Sequence, residues 1–529
     1  MNHAPVYTAD LGTGEYRNPI LYADYSDPDI IRVGGDFYMI ASSFTCVPGV
    51  PVLHSVDLVH WELINYCVRR LPFDRYDSPA HGCGTWAPSL RYHNECFYAF
   101  IPMPDEGIFV TTASDPAGAW TPLRCIKEAR GWIDPCPLWD DDGRAYMAFA
   151  YANSRCGIKH RLSMVEMDPV TCDVTGDPVL VFDGTLSAPT VEGPKLYKRN
   201  GWYYIFAPAG GVTNGWQIAL RSRSVYGPYE ARIVLHQGNT AVNGPHQGGY
   251  VALEDERCFF LHFQDVGPMG RIVHLQPMCW QNDWPFIGVE QNGDGIGEPV
   301  SLWRLPFPEN AGEGLEIVQD DDFSGDRLGL QWQFQCNPNP EWYDCKARPD
   351  ALRLFMAHNP DRADNPLWFA GNALTQIPQA PDFDVTLDMS LCPSVEGDMA
   401  GLGVVGHQYA YLALATRSGV PVARLVQGQV IRDAMTGMKP GTVEEREVAC
   451  APLESHRIQL RMKVRAGNRV RFVYRSQSGE CVEIGEWLPV AEGTWTGFKV
   501  AVFAMNHMNS CSDGYADMEG IRFTVPDAD

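Results

Sequence analysis

The sequence predicts an all-β protein: a five-bladed β-propeller followed by a C-terminal antiparallel β-sandwich. A frame made of an apolar strand, a Gly/Asp/Asn turn and an aromatic strand recurs five times, roughly 45–60 residues apart, which is typical of propeller blades. From about residue 306 the frame stops, and short runs of alternating polar and apolar residues follow, which favour a sandwich. Helical periodicity is scarce throughout.

Each copy of the frame reads as a β-hairpin. In the first, second and fourth copies an aromatic pair begins nine residues after the proline. The fifth copy is weaker and ends on Phe259-Phe260. The five copies begin, in order, with Asp27-Pro28, Ala87-Pro88, Asp134-Pro135, Glu192-Gly193-Pro194 and His246-Gln247-Gly248-Gly249.

A chain of 529 residues is too long for one ordinary core, so two domains are expected. The polar, Pro/Gly-rich stretch from Pro306 to Gly314 marks the boundary between them. We therefore predict a propeller domain over residues 1–310 and a jelly-roll-like accessory sandwich over residues 320–529. The second region carries no catalytic signature, and packing against the propeller is its expected role.

Composition excludes several classes of partner. A net charge of −24 would repel nucleic acid and anionic membranes, so neither is expected as a partner. The 16 cysteines contain no C-x-x-C pair, which argues against a zinc or redox site and fits a reducing compartment. The first residues show no signal peptide, and no apolar run approaches the roughly 18 residues of a membrane helix. We expect a cytoplasmic protein.

In a propeller the innermost strands line a central channel, so the starts of the five copies should converge there. They carry Asp27, Ala87 beside Trp86, Asp134, Glu192 and His246. Acidic Asp-Pro turns are common, and each carboxylate taken alone could be a turn residue. Three together resist ionising at once, whereas one protonated and one ionised carboxyl group are the equipment for glycoside hydrolysis. A third carboxylate would hold the acid protonated.

The first 300 residues resemble glycoside hydrolase family 43, the family of β-xylosidases and α-L-arabinofuranosidases. The resemblance is carried by motifs in fixed order and spacing. These motifs are Asn18-Pro19-Ile20-Leu21, Ser26-Asp27-Pro28-Asp29-Ile30, Gly84-Thr85-Trp86-Ala87-Pro88, Trp132-Ile133-Asp134-Pro135, Val191-Glu192-Gly193-Pro194-Lys195, Gly244-Pro245-His246-Gln247 and Gly270-Arg271-Ile272-Val273-His274.

The resemblance implies a role for each carboxylate. Asp27 would be the general base that activates a water, and Glu192 the general acid that protonates the leaving oxygen. Asp134 would orient Glu192 and keep its pKa raised. Because the family inverts configuration, the two working carboxyl groups should lie roughly 6.5–9.5 Å apart.

The resemblance also implies binding residues. Phe44, Trp86 and Ile133 would wall the first sugar subsite, and Arg271 would donate to sugar hydroxyls and steady the carboxylates. The alternative for Arg271 is a surface strand residue. His246 lies where some members ligate calcium and others hold only water; calcium prefers oxygen ligands, so no cofactor is required and Ca²⁺ is left open.

The function expected from the resemblance is an inverting exo-glycosidase acting on short oligosaccharides. β-Xylosidase is favoured, with α-L-arabinofuranosidase or a bifunctional enzyme as the alternative. A sugar-binding protein with a decayed site is the remote alternative, and its signature would be loss of a carboxylate. Two-domain members send a sandwich loop toward the cleft; residues 504–511 are our candidate for that loop. Self-association is left open.

Overall fold

The computed structural model describes residues 5–310, 314–359, 362–431, 442–475 and 479–526. Helical structure in these ranges is confined to one short helix and a few single turns, and none of it is long and apolar enough to span a membrane. The helix is α1 (Asn153–Cys156), and the 3-10 turns are Asp74–Asp77, Gly267–Met269, Pro308–Asn310, Pro340–Trp342 and Leu367–Phe369. The predicted all-β class is confirmed.

Five antiparallel sheets of four strands form the predicted propeller, and the strands of each blade are neighbours in chain order. A short strand β1 (Glu15–Arg17) precedes them. The blades are, in order, β2–β5 (Asp29–Val33, Asp36–Ile40, Gly49–Ser55, Glu62–Val68), β6–β9 (Ser89–His93, Cys96–Met103, Gly107–Ala113, Arg124–Glu128), β10–β13 (Trp132–Trp139, Ala145–Tyr151, Arg161–Met167, Val179–Asp183), β14–β17 (Lys195–Arg199, Trp202–Ala209, Trp216–Ser222, Glu230–Leu235) and β18–β21 (His246–Ala252, Cys258–Asp265, Arg271–Gln281, Trp284–Ile287).

The hairpin turns follow from local sequence. In blade two, Asn94 and Glu95 both have positive φ, 47° and 59°. Positive φ at both residues of a two-residue turn matches the twist of the two antiparallel strands that the turn joins. In blade one, Gly34 takes the left-handed conformation at 63°. The turn residues of the frame therefore set the register of the first two strands in these blades.

The N-terminal arm ties the last blade to the first. Strand β1 pairs with β22 (Leu302–Arg304) after the fifth blade. The side chain of Asn18 donates to the carbonyls of Leu275 and Val300, and the N–H of Ile20 donates to the carbonyl of Val273. These contacts close the ring beside the residues that lead to Asp27.

A buried polar network links neighbouring blades around the axis. The carboxylate of Asp29, at the start of β2, accepts the N–H of Leu90 and the guanidinium of Arg91 from blade two, each at 2.8 Å. Arg91 also donates to the sulfur of Cys136 in blade three. Lys195 of blade four lies 3.7 Å from Asp29. The strand starts that carry the candidate site are therefore fixed relative to one another.

Two seven-stranded antiparallel sheets form the C-terminal region. The strands are β23 (Gln333–Phe334), β24 (Tyr343–Arg348), β25 (Ala351–Phe355), β26 (Leu374–Gln376), β27 (Phe383–Cys392), β28 (Asp398–Val405), β29 (Gln408–Arg417), β30 (Val420–Ile431), β31 (Thr442–Pro452), β32 (Arg457–Arg465), β33 (Arg469–Arg475), β34 (Cys481–Pro489), β35 (Lys499–Asn506) and β36 (Tyr515–Thr524). One sheet has the order β23-β26-β35-β28-β29-β30-β31 and the other β24-β25-β36-β27-β32-β33-β34.

Backbone contacts fix the sandwich against the propeller. Val47 of blade one and Phe334 of β23 exchange both backbone hydrogen bonds, at 3.0 and 2.7 Å. The side-chain amide of Asn337 accepts from the backbone N–H of Leu71 and donates to the carbonyl of the same residue. Direct hydrogen bonds therefore join the two regions.

Candidate active site

Three carboxyl groups and one guanidinium meet where the innermost strands begin. Asp27 and Glu192 precede β2 and β14, and Asp134 lies on β10. Nη1 of Arg271, on β20, lies 3.0 Å from one carboxylate oxygen of Asp27. Asp134 and Glu192 interact electrostatically with each other and with Asp27. Ala87 is buried at the equivalent place in blade two.

Asp27 is held in place as a hydrogen-bond acceptor. The hydroxyl of Ser42 donates to its Oδ2 at 2.6 Å, and Arg271 donates to both oxygens. Hydrogen bonds from charged and neutral donors stabilise negative charge on a carboxylate. Asp27 has a φ of 55° and Asp134 a φ of 56°, a left-handed conformation uncommon outside glycine and found at functional sites.

The other two carboxyl groups form a pair with raised pKa values. Burial and the negative charge of Asp134 raise the pKa of Glu192 to about 8, although 31% of its side chain remains exposed to the cleft. Burial also raises the pKa of Asp134, while the N–H of Gly193, donating at 2.7 Å, opposes that rise. The pair therefore retains a proton at neutral pH that an ordinary carboxyl group would lose.

Of the three carboxyl groups, Glu192 lines a cavity of about 660 Å³ between the propeller and the sandwich. Trp86, Ile133, Glu192 and Arg271 are among its lining residues. Phe44 is buried and packs against Trp86, with ring centroids 6.2 Å apart. A lining that combines aromatic rings with charged and polar groups suits a sugar ring, whose faces are apolar and whose edges carry hydroxyls.

The sandwich contributes one wall of this cavity through the loop between β34 and β35. Glu492, Gly493, Trp495 and Thr496 line it, and Trp495 stands edge-on to Trp86 with centroids 6.3 Å apart. We call residues Gly493–Gly497 the sandwich loop. In the sequence it is a tryptophan bracketed by threonines and glycines, a pattern that is typical of a loop but does not show which surface the loop faces.

The expectation that residues 504–511 form this loop is wrong. Met505 and Asn506 belong to β35 and are fully buried in the sandwich. Beyond the strand, the side chain of Asn509 bonds to the carbonyls of Asn359 and Arg362, within the sandwich. The stretch is Gly-poor and flanked by strand-like runs, which suggested a connecting loop, but β35 continues as far as Asn506.

His246 begins β18 beneath the carboxyl groups, with its Nε2 3.4 Å from Oε1 of Glu192. Burial and the nearby charges of Arg271 and His262 lower its pKa to about 3, so the ring is neutral. Calcium takes six to eight oxygen ligands. Within the described residues no three His, Cys, Asp or Glu side chains are grouped to hold a metal. These side chains alone do not fit calcium, and the ion stays a prediction of the resemblance.

Two further residues that the sequence analysis missed support the cavity wall. Arg155, on α1, lies over the ring of Trp86 at 4.9 Å and donates to the carbonyl of Gly82. Asp24 accepts the N–H groups of Arg271 and Gly497. No sequence pattern marks either one, because their partners are distant along the chain. A carboxyl group with a raised pKa at a sugar-sized cavity, beside a second carboxyl group that accepts hydrogen bonds, is the arrangement of a glycoside hydrolase.

Comparison with known proteins gives the family. Residues 16–285 match the profile of Glycosyl hydrolases family 43, and residues 320–524 match the Beta xylosidase C-terminal Concanavalin A-like domain. The chain belongs to glycosyl hydrolase family 43.

Individual relatives agree with this assignment. A putative beta-xylosidase of Xylanibacter ruminicola is 45% identical over 65% of this chain and 65% of its own length, so the chain spans just under two thirds of that relative. A non-reducing end alpha-L-arabinofuranosidase of Bacteroides ovatus is 31% identical over 78% of each chain. The crystal structure of a mutant family 43 protein of Bacillus licheniformis shares the fold, with a TM-score of 0.81, 24% identity, and coverage of 97% of this chain and all of that one.

Proposed function

We propose that the protein is an inverting exo-glycosidase that releases single xylose units from the non-reducing ends of short xylo-oligosaccharides. The observation that carries the proposal is the contrast between Glu192, which lines the cavity, and its neighbour Asp27. Asp27 accepts from Arg271 and Ser42, whereas the pKa of Glu192 is raised to about 8. The relative named as a putative beta-xylosidase supports xylose as the sugar.

In the proposed mechanism the two carboxyl groups act in one displacement. Asp27 takes a proton from a water molecule as the water oxygen bonds to the anomeric carbon. The bond from this carbon to the leaving oxygen breaks on the opposite face of the sugar. The leaving oxygen keeps the bonding electrons and takes the proton of Glu192. Asp134 keeps Glu192 protonated, and exchange with water restores both groups. A separation of roughly 6.5–9.5 Å between the working groups is expected.

The sandwich loop supports the exo mode of action. Trp495 and Trp86 stand at the same cavity, one from each domain, so the first sugar is enclosed where a polymer would need an open groove. A blocked cleft suits removal of end units from short chains. No nucleic acid, membrane or cofactor takes part in this mechanism, and a soluble oligosaccharide is the proposed substrate.

An α-L-arabinofuranosidase activity is the second candidate. It is favoured by the Bacteroides ovatus relative, which has this name and aligns with 78% of the chain. Apolar walls such as Trp86 and Ile133 do not distinguish the two pentoses, because both present an apolar face and similarly placed hydroxyls. A decayed sugar-binding protein is disfavoured, since Asp27, Asp134 and Glu192 are all present at the site.

The proposal is tested with 4-nitrophenyl β-D-xylopyranoside and 4-nitrophenyl α-L-arabinofuranoside. Wild type should hydrolyse the xyloside faster than the arabinofuranoside. Asp27→Ala should lower kcat on the xyloside roughly 100- to 10,000-fold, which is the usual contribution of a general base. Asp36→Ala, which removes an exposed carboxylate of the same blade, is the matched control and should keep wild-type turnover.

The stereochemical outcome tests the mechanism separately. NMR of the first sugar released from the β-xyloside should show the α-anomer. Release of the β-anomer would overturn the inverting mechanism, and faster hydrolysis of the arabinofuranoside would favour the second candidate. Full activity in Asp27→Ala would remove this residue from the role of base.

A further inference from the structure

Asp24 is a buried carboxylate to which the proposed mechanism gives no role. It lies three residues before Asp27 and is 6% exposed. Its Oδ1 accepts the N–H of Arg271 at 2.9 Å and the hydroxyl of Ser26 at 3.1 Å, and its Oδ2 accepts the N–H of Gly497 at 2.8 Å. These donors come from the segment before blade one, from blade five and from the sandwich. One carboxylate therefore joins three separate parts of the molecule.

The sandwich loop also meets the turn before Arg271 through its backbone. The N–H of Phe498 donates to the carbonyl of Pro268 at 2.8 Å. A Cβ placed on Gly497 would lie 2.6 Å from the carbonyl carbon of Met269, and one on Gly270 would lie 2.5 Å from the nitrogen of Gly497. Both glycines are needed for this approach, because contacts that short do not occur for real Cβ atoms.

A displacement at Asp24 would reach both ends of the cavity. Arg271 follows this turn directly and contacts Asp27, while the sandwich loop carries Trp495 on the other wall. Catalytic geometry tolerates little movement: a misplacement of about 1 Å far from the reacting atoms can lower a rate about 100-fold. The position of the sandwich and the position of the base are therefore linked through one residue.

We propose that Asp24 is a positioning residue that couples the sandwich loop to Arg271 and so to Asp27, which makes the sandwich a determinant of the rate of hydrolysis as well as of pocket shape. The kinetic part of this inference rests on the proposed function. Asp24 is not among the residues that line the cavity, and it acts through Arg271 and Gly497. The alternative is a plain structural anchor, whose loss would only lower the folded fraction.

A double-mutant cycle separates these two roles. kcat and KM on the nitrophenyl xyloside are measured for wild type, Asp24→Asn, Trp495→Ala and the double variant. We expect Asp24→Asn to lower kcat/KM about 10- to 100-fold, because an amide group cannot accept both backbone N–H groups. Trp495→Ala should then cost much less in the Asp24→Asn background, since the loop is already displaced. Equal fold-losses in both backgrounds would overturn the coupling.

A matched control removes a buried carboxylate elsewhere. Asp398, in the sandwich, accepts the N–H groups of Ser394 and Val395. Asp398→Asn should lower the melting temperature while leaving kcat/KM and the Trp495→Ala effect unchanged. If Asp24→Asn does not fold, Gly497→Ala pushes the loop away from Gly270 without removing a charge, and it should give the same loss of kcat and the same non-additivity.

Hydrogen exchange supplies a readout that does not require activity. In Asp24→Asn the amides of Arg271 and Gly497 should exchange faster than in wild type, while that of His274, which pairs with His262 of β19 within the same blade, should not change. Unchanged protection of both amides would overturn the inference. If wild type hydrolyses neither nitrophenyl substrate, the proposed function fails and the exchange rates alone decide the role of Asp24.

Discussion

Nη1 of Arg271 lies 3.0 Å from one carboxylate oxygen of Asp27 and 3.2 Å from the other. The guanidinium also lies over the ring of Phe263 at 4.9 Å and is close to Asp265. Arg271 is therefore a buried partner of the carboxylate and not a surface strand residue. The rest of its side chain is fixed by packing, so the contact needs little reorganisation.

Arg271→Lys should lower kcat/KM roughly 10- to 150-fold, because a hydrogen bond to a charged group contributes about 1.5–3 kcal/mol. A lysine keeps the charge but loses the planar fork and the stacking on Phe263. Steady-state kinetics on the nitrophenyl xyloside measure the effect. Arg257→Lys, on an exposed turn of the same blade, is the control. An Arg271→Lys enzyme with wild-type kinetics would show that the contact is dispensable.

On the alkaline side of the pH profile, kcat/KM should fall near the raised pKa of Glu192. The general acid must carry a proton, so kcat/KM should fall as pH rises through about 8. Asp134→Asn removes the negative charge that raises this pKa, so in the remaining activity the alkaline limb should move to lower pH. The measurement is kcat/KM against pH from wild type, Asp134→Asn and Asp141→Asn, an exposed control in blade three. A limb that moves to higher pH, or does not move, contradicts the assignment.

The same raised pKa predicts that Glu192→Gln stabilises the protein at neutral pH. The native carboxyl group holds its proton up to about pH 8, whereas the unfolded one loses it near pH 4.5, so ionisation favours the unfolded state between these values. Wild-type stability therefore falls with rising pH in this window, and a neutral amide avoids that loss.

Scanning calorimetry should show a melting temperature for Glu192→Gln that exceeds wild type by a few degrees at pH 7 to 8. The difference should shrink toward pH 4, where both states are protonated. Glu316→Gln, which replaces an exposed carboxylate, should show no such trend. A Glu192→Gln variant less stable than wild type at pH 7 would mean that the carboxyl group is not destabilised by burial.

Trp495→Ala should raise KM for xylobiose about 10-fold with a smaller effect on kcat. The indole is 50% exposed and stands at the cavity edge-on to Trp86, so it can cover a bound sugar without contacting the carboxyl groups. Opening this wall should also reduce the preference for short over long xylo-oligosaccharides. Product analysis on chains of increasing length tests this. Trp487→Ala removes a tryptophan from β34 of the same domain and should change neither value.

Much of the fold follows from local sequence. Each blade begins with a hairpin whose turn and aromatic strand lie within a short stretch, so the repeat shows which residues start the innermost strands. Because these starts meet at the axis, Asp27, Asp134 and Glu192 could be placed together without any distance being known. The left-handed backbone at Asp27 and Asp134 has no such signal, since most Asp-Pro pairs are ordinary turns.

The contacts between domains could not be predicted in this way. Asp24 and Gly497 are 473 residues apart, and their hydrogen bond depends on how two folded surfaces meet. The sandwich loop was missed for the same reason, whereas residues 504–511 were chosen on position and composition only. Local periodicity predicts strands, but it does not say which of several loops at one end of a sandwich faces the propeller.

The network around Asp29 gives a last prediction, about stability. Asp29 is fully buried and neutralises Arg91 of the next blade at 2.8 Å. Asp29→Ala leaves that guanidinium buried and unpaired, and breaking a buried ion pair in this way costs about 3–5 kcal/mol. We therefore expect a large fall in the urea concentration at the midpoint of unfolding. Tryptophan fluorescence measures this midpoint. The fluorescence should report mainly the propeller.

The control for this prediction is Asp255→Ala, which breaks an exposed pair with Arg257 in blade five. Exposed pairs contribute about 0–1 kcal/mol, so its urea midpoint should stay close to that of wild type. If Asp29→Ala and Asp255→Ala unfold at the same urea concentration, the blades are held together by apolar packing and the axial network adds nothing. If only Asp29→Ala unfolds early, the charge pair between the first two blades stabilises the ring on which the site is built.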